Sequence, residues 1–177
     1  MLRHLLLVLA LLVVSSTSDA GSCFVDHVMT GPPAAHTKRC KLSVLEFDGQ
    51  ASLADTGRNT VVTSLLDSYD LVARKRWRTA FIDAMWITFE DAHGPRRWQQ
   101  AAKQSGVDAV IEGWVQDEGR RHTLNVTVRE ASTGNEIDTV TVRENDKGVV
   151  LEAVKLKADL DDVLSWCKER TTSQIAE

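Results

Sequence analysis

GVDAVIEGWVQDEGRRHTLNVTVREASTGNEIDTVTV, from Gly106 to Val142, decides the fold of this 177-residue chain. It contains three apolar or alternating runs separated by two turn signals. Val107, Ala109, Val110, Ile111 and Val115 form a near-continuous apolar strand, and Asp117, Glu118, Gly119 and Arg120 supply the glycine and acidic residues of a hairpin loop. Leu124, Val126 and Val128 alternate with Thr123, Asn125, Thr127 and Arg129, so one face of the second run is buried and the other is wet. Ser132, Thr133, Gly134 and Asn135 turn the chain again, and Glu136 to Arg143 returns as a third strand. The pattern predicts an antiparallel meander.

Upstream, Lys41 to Phe47 is a short apolar run ended by Asp48 and Gly49, as in a strand covered on both faces. Asp55 or Thr56 is placed to cap a helix in which Val61, Val62, Leu65, Leu66 and Tyr69 recur at helical spacing. Asp70 to Ala73 is a second short strand. Strand, helix and strand within about thirty residues make a right-handed crossover, which sets the two strands parallel in one sheet. A helix around Trp77 to Phe89 carries Trp77, Phe81, Ile82, Met85, Trp86 and Phe89 at spacings of three and four. The next begins at Pro95, turns Trp98, Ala101 and Ala102 inward and stops at Gly106. After the meander, Asn145 and Asp146 are placed to cap a last helix with an apolar stripe from Val149 through Ala153, Leu156 and Leu160 to Cys167. The fold class is therefore α/β. A single mixed sheet has a parallel strand-helix-strand start and an antiparallel three-stranded meander, with the helices packed on it.

The first residues have a short basic start and an apolar run from Leu5 to Val14, too short to span a bilayer. They read as a signal peptide over residues 1–20, with small residues before cleavage after Ala20. Lipoprotein processing at Cys23 is the alternative, set against it by Asp19 and the polar spacer. Both readings export the chain to the periplasm or cell envelope, where disulfides are permitted. Residues 21–40, with Gly31, Pro32 and Pro33, read as a flexible linker, residues 41–170 as one domain, and residues 171–177 as a disordered polar tail. A core of about 130 residues buries roughly two thirds of its unfolded surface, so it is expected to need no staple of disulfides or metal for stability. The net charge of −4 gives no bulk argument for nucleic acid.

Three cysteines are an odd number, which leaves at least one unpaired within the chain or lipidated. Cys23 and Cys40 bracket the linker together with His27 and His36. A disulfide between Cys23 and Cys40 would close this loop, while a zinc site of the four residues would make the chain a small secreted metal-binding protein or enzyme. Zinc ligands ordinarily sit closer within each pair, which favours the disulfide or unpaired thiols over zinc.

No G-x-S-x-G elbow, H-E-x-x-H, phosphate-binding loop or dinucleotide fingerprint occurs, so no catalytic, cofactor-binding or metal residue is assigned. The histidines, His93 and His122 included, fall in breaks and turns as surface residues do. Asp108, Glu112 and Trp114 share a strand face, with Glu46 at the end of the first strand. Carboxylates so placed could act as acid and base, but strand-end positions beside many arginines suit ion pairing better. Asp159, Asp161 and Asp162 lie on a helix, where a calcium loop does not form, and read as a solvated face. The basic run Arg74, Lys75, Arg76 and Arg78 beside Trp77 is a candidate binding patch for an acidic partner, phosphate or anionic lipid.

The order of elements, with Gly106 to Gly113 (GVDAVIEG) and Glu130 to Glu136 (EASTGNE), resembles the small α/β domain of TolB N-terminal-like, CsgG-like and LpoB-like envelope proteins. The first segment is similar to that family's G-A-D-x-V-x-x-G, the second to its D-x-x-T-G-E turn, and Lys41 to Phe47 to its first strand, usually V-L-P-F. Glu46 here takes the place of the proline. The resemblance spans Lys41 to Arg143 and implies a non-enzymatic envelope domain that binds other proteins. No β-propeller follows, as one would in a full TolB, so the implied partner is an unknown envelope protein, with peripheral membrane or cell-wall association as a further expectation.

Overall fold

A computed structural model describes residues 39–117, 122–145, 147 and 149–173. The elements run β1 (Lys41–Asp48), α1 (Ala51–Leu65), β2 (Asp70–Leu71), α2 (Arg74–Thr88), α3 (Pro95–Ser105), β3 (Ala109–Asp117), β4 (His122–Glu130), β5 (Glu136–Glu144), α4 (Ala153–Val163) and α5 (Ser165–Ser173). They build one five-stranded sheet of order β2-β1-β3-β4-β5. β1 pairs parallel with β2 and with β3, and the remaining pairs are antiparallel. This is the mixed sheet that the sequence pattern predicts.

Strand alternation sorts the side chains onto two faces. One face carries Leu42, Val44, Ile111, Leu124, Val126, Val128, Val140 and Val142, and is covered by Leu53, Val61 and Leu65 of α1 and Leu156 and Leu160 of α4, continuing through Leu164 to Cys167 of α5. Leu124, Leu156, Leu160 and Leu164 are completely buried. Each contributes about 1.5–3 kcal/mol by leaving water. Cys40, just ahead of β1, is disulfide-bonded to Cys167 of α5, with the Cα atoms 5.7 Å apart. The covered face is thus stapled across 127 residues of sequence.

That bond corrects the expected pairing of Cys40 with Cys23. Spacing in sequence made the linker the shorter loop to close, but burial of the α5 stripe against β1 brings Cys167 to Cys40 instead. Cys23, His27 and His36 lie outside the described residues.

The opposite face is covered only in part. Trp77, Ala80 and Ala84 of α2 and Trp98 and Ala101 of α3 pack with Val107, Val110 and Ala131, with Leu45 and Phe81 at the margin. The rings of Trp77, Phe81 and Trp98 lie 5.0–5.7 Å apart centre to centre. Gly134 has φ +77°, and a Cβ there would lie 2.7 Å from the Trp98 ring, so the turn glycine serves both the turn and the packing.

Other expectations are corrected. α1 starts at Ala51 after Gln50, ahead of Asp55 and Thr56, because Gln50 C=O already accepts from the N–H groups of Leu53 and Ala54 at 2.9 Å. Asn145 caps a turn, its Oδ1 accepting from the N–H groups of Lys147 and Val149 at 2.9 and 3.0 Å. Val150 then bridges back to Glu144, which delays α4 to Ala153 and leaves Val149 exposed. α5 runs to Ser173, three residues into the stretch whose composition reads as a polar tail.

Candidate functional site

The partly covered face of the sheet holds the candidate site, and a β-bulge builds it. Val44 pairs with Ile111 and Phe47 with Gly113, so β1 uses one residue more than β3 between these pairs. The extra residue returns Phe47 to the core and leaves both Leu45 and Glu46 on the groove. Gly113 is the matching feature on β3, since a Cβ there would lie 2.6–2.8 Å from the Phe47 ring. Glu46 then meets the first turns of α2, with Arg78 Nη1 at 2.9 Å and Arg74 Nε at 3.4 Å. Slight burial pushes the Glu46 pKa up, but its own backbone hydrogen bond and the charges of Arg74 and Arg78 outweigh this and hold it below the usual carboxylate range.

On β3 and β4 the same face carries Glu112, Trp114, Thr127 and Arg129. Arg129 donates from Nε to Glu112 at 2.9 Å and from Nη2 to Glu136 at 3.4 Å. Thr127 and Thr139 share a hydrogen bond of 2.8 Å, and Thr141 donates to Asn125 at 2.8 Å. A groove of about 600 Å³ opens among Leu45, Glu46, Asp48, Arg78, Trp114, Thr127 and the Glu112–Arg129 pair. The same pair lines a second hollow with Phe81, His93, Trp98 and Asn135, so the two hollows border one another at that pair. Trp114 stands at the mouth, 42% exposed.

The basic run is split by this geometry. Arg74 and Arg78 are committed to Glu46, while Lys75 and Arg76 have no ion pair among the described residues. Asp108 is turned away from Glu112: its Oδ2 accepts the backbone N–H of Lys41 at 2.9 Å. The ligand-type atoms of Cys40, Cys167 and Asp108 lie within 4.8 Å of one another, but the two sulfurs are bonded together. With Cys40 in that bond, a zinc site on Cys23, His27, His36 and Cys40 loses one of its four ligands. Asp161 is an ion-pair hub, receiving Tyr69 Oη at 2.8 Å, Lys157 Nζ at 2.9 Å and Lys168 Nζ at 3.3 Å.

Two features escape the sequence reading. His122 is buried, although its place beside a hairpin tip suggests a surface residue, because the first residue of β4 still faces the covered side of the sheet. The α2 stripe divides: Trp77 is buried, whereas Ile82, Trp86 and Phe89 are 51%, 68% and 88% exposed. Helical spacing alone would group these aromatics on a broad inward face. The buried arc centres instead on Trp77, Ala80 and Ala84, where small alanines let α2 approach the sheet.

No protein-family model matches the chain, and no curated protein matches it by sequence. Among solved structures the chain is similar to the LpoB C-terminal domain from Salmonella enterica, at 14% identity and TM-score 0.43, covering 64% of this chain and 87% of that one. It is also similar to TolB from Acinetobacter baumannii, at 10% identity and TM-score 0.41, covering 73% of this chain and 28% of TolB. Lipoprotein GNA1162 from Neisseria meningitidis matches at 12% identity and TM-score 0.41, covering 78% of this chain and 97% of that one. These include the LpoB and TolB proteins that the Gly106–Gly113 and Glu130–Glu136 motifs resemble.

Proposed function

We propose that the protein is an exported, non-enzymatic component of the cell envelope that docks a protein partner in the groove between α2 and the open sheet face. The observation that carries this is the half-exposed Trp114 set between two ion-pair groups, the exposed Glu46 with Arg74 and Arg78, and the half-buried Glu112 and Arg129 with Glu136. An aromatic anchor ringed by charges of both signs suits recognition of another protein, in which the ring supplies contact area and the charges set register. The ionisable groups there are paired with one another, which suits a docking surface better than an acid and base awaiting a substrate.

The test is recovery of a partner from envelope extract with residues 21–177 as bait, alongside Trp114→Ala, Arg129→Glu and a variant with Arg74, Lys75, Arg76 and Arg78 changed to Ser. Stoichiometric recovery of one envelope protein, lost in Trp114→Ala and Arg129→Glu, is the expected result. Equal recovery by all variants would remove the groove as the site.

A further inference from the structure

The outer ridge of α2 is complementary to itself. Lys75, Arg78, Ile82, Trp86 and Phe89 follow one another at spacings of three, four, four and three, so they form one stripe, opposite the buried Trp77, Ala80 and Ala84. The spacing reads the same in both directions about Ile82. The chemistry changes across it: two cations lie on the N-terminal side and two aromatic rings on the C-terminal side. Rotating a second copy by a half-turn about an axis through Ile82 sets the helices antiparallel. Ile82 then faces Ile82, and along the axis Arg78 comes level with Trp86 and Lys75 with Phe89, which puts each cation within reach of a ring twice over.

We propose that this ridge is the contact surface of a homodimer, with a second copy of this chain as its occupant. The exposure supports it: Lys75 is exposed with no ion pair among the described residues, and the side chain of Arg78 is 61% exposed even while bonded to Glu46. Phe89 adds a conformational sign. It is the C-cap of α2 with φ 56°, a left-handed conformation that favours glycine, yet the position holds a large ring 88% exposed to water. A protein partner with an unrelated groove would not require cations and rings at matched distances from one central residue, whereas a second copy does. One pair of fifteen-residue helices buries less than the roughly 1,200 Å² of a standard stable interface, so the dimer is weak. The ridge shares Arg78 with the groove through its ion pair with Glu46, while Lys75, Ile82, Trp86 and Phe89 lie outside the groove lining.

Sedimentation equilibrium of residues 21–177, with Cys23→Ser to exclude linker crosslinks, is expected to show a monomer–dimer equilibrium. Trp86→Ala and Lys75→Glu are each expected to weaken it at least tenfold, with circular dichroism unchanged. Ile82→Cys is expected to crosslink with itself on mild oxidation, and Trp86→Cys to crosslink with Arg78→Cys only when the two are mixed. Thr63→Cys, exposed on α1, is the control and should not crosslink. A chain that stays monomeric to millimolar concentration, a dimer indifferent to Trp86→Ala, or an Ile82→Cys variant that crosslinks no faster than the control would each overturn the proposal. So would a monomeric chain that holds a different envelope protein or an anionic vesicle through this ridge. Partner recovery is read from Trp114→Ala and Arg129→Glu, which leave the ridge intact, so either proposal can fail alone.

Discussion

The two faces of the sheet use the same strands for opposite ends. On the covered face Leu124, Val126 and Val128 of β4 meet α1 and α4 without exposed area, and a disulfide closes the far end. On the other face the neighbouring residues Asn125, Thr127 and Arg129 bond across to Thr141, Thr139 and Glu112, and α2 with α3 covers only part of them. One face holds the fold by excluding water. The other pairs Asn125, Thr127 and Arg129 within the sheet and leaves Trp114 and paired charges facing solvent. Substitution should therefore cost stability on the first face and binding on the second.

The largest effect is expected at the staple. Removing the disulfide with Cys40→Ala and Cys167→Ala should lower unfolding free energy by about 2–5 kcal/mol, because the bond closes a loop of 127 residues in the unfolded chain. Urea denaturation measures this. A loss below about 1 kcal/mol would mean that apolar packing alone holds α5.

A second effect sharpens the comparison with pH. Glu144 sits on the covered face opposite Gly57, where a Cβ would approach its Oε1 to 2.5 Å, and neither carboxylate oxygen has a hydrogen-bond partner. Burial pushes its pKa up to about 7. The folded chain thus binds this proton more tightly than the unfolded chain. Stability from this group is fully present below about pH 4.5, falls as pH rises towards 7, and is lost above it, by roughly 3 kcal/mol in all. Glu144→Gln should flatten that part of the stability–pH profile measured by urea titration between pH 4 and 8. An unchanged slope would assign the dependence to other groups.

Next comes the joint between the faces. Gly113→Ala places a methyl against the Phe47 ring and should cost about 1–3 kcal/mol, with loss of partner recovery if the bulge that presents Glu46 shifts. The smallest stability effect is expected on the open face: Trp114→Ala and Arg129→Ala should each change stability by about 1 kcal/mol or less, since Trp114 is half exposed and an ion pair that still meets solvent contributes little. A loss above 2 kcal/mol for Arg129→Ala would show that the open face helps to hold the fold.

Local pattern was enough to place most elements. Pro95 and Gly106 mark α3 because one suits a helix start and the other takes φ 70° at its end. The alternation from Leu124 to Val128 predicts β4, since a strand buried on one side repeats every two residues. The candidate site was less legible. The basic run and Trp114 stand out as residue types, but that Arg74 and Arg78 are paired with Glu46 depends on a bulge set by the register of β1 against β3.

What the sequence determined by itself was the order of strands and helices and which strand residues alternate, because backbone periodicity and turn chemistry act over a few residues. Tertiary structure alone decided the partner of Cys40, the burial of His122 and the outward turn of Ile82, Trp86 and Phe89. Each of these depends on which surfaces remain uncovered when elements distant in sequence compete for the same sheet. A spacing of three and four says that residues share a helix face, and only the packed neighbours say whether that face meets the core or the solvent.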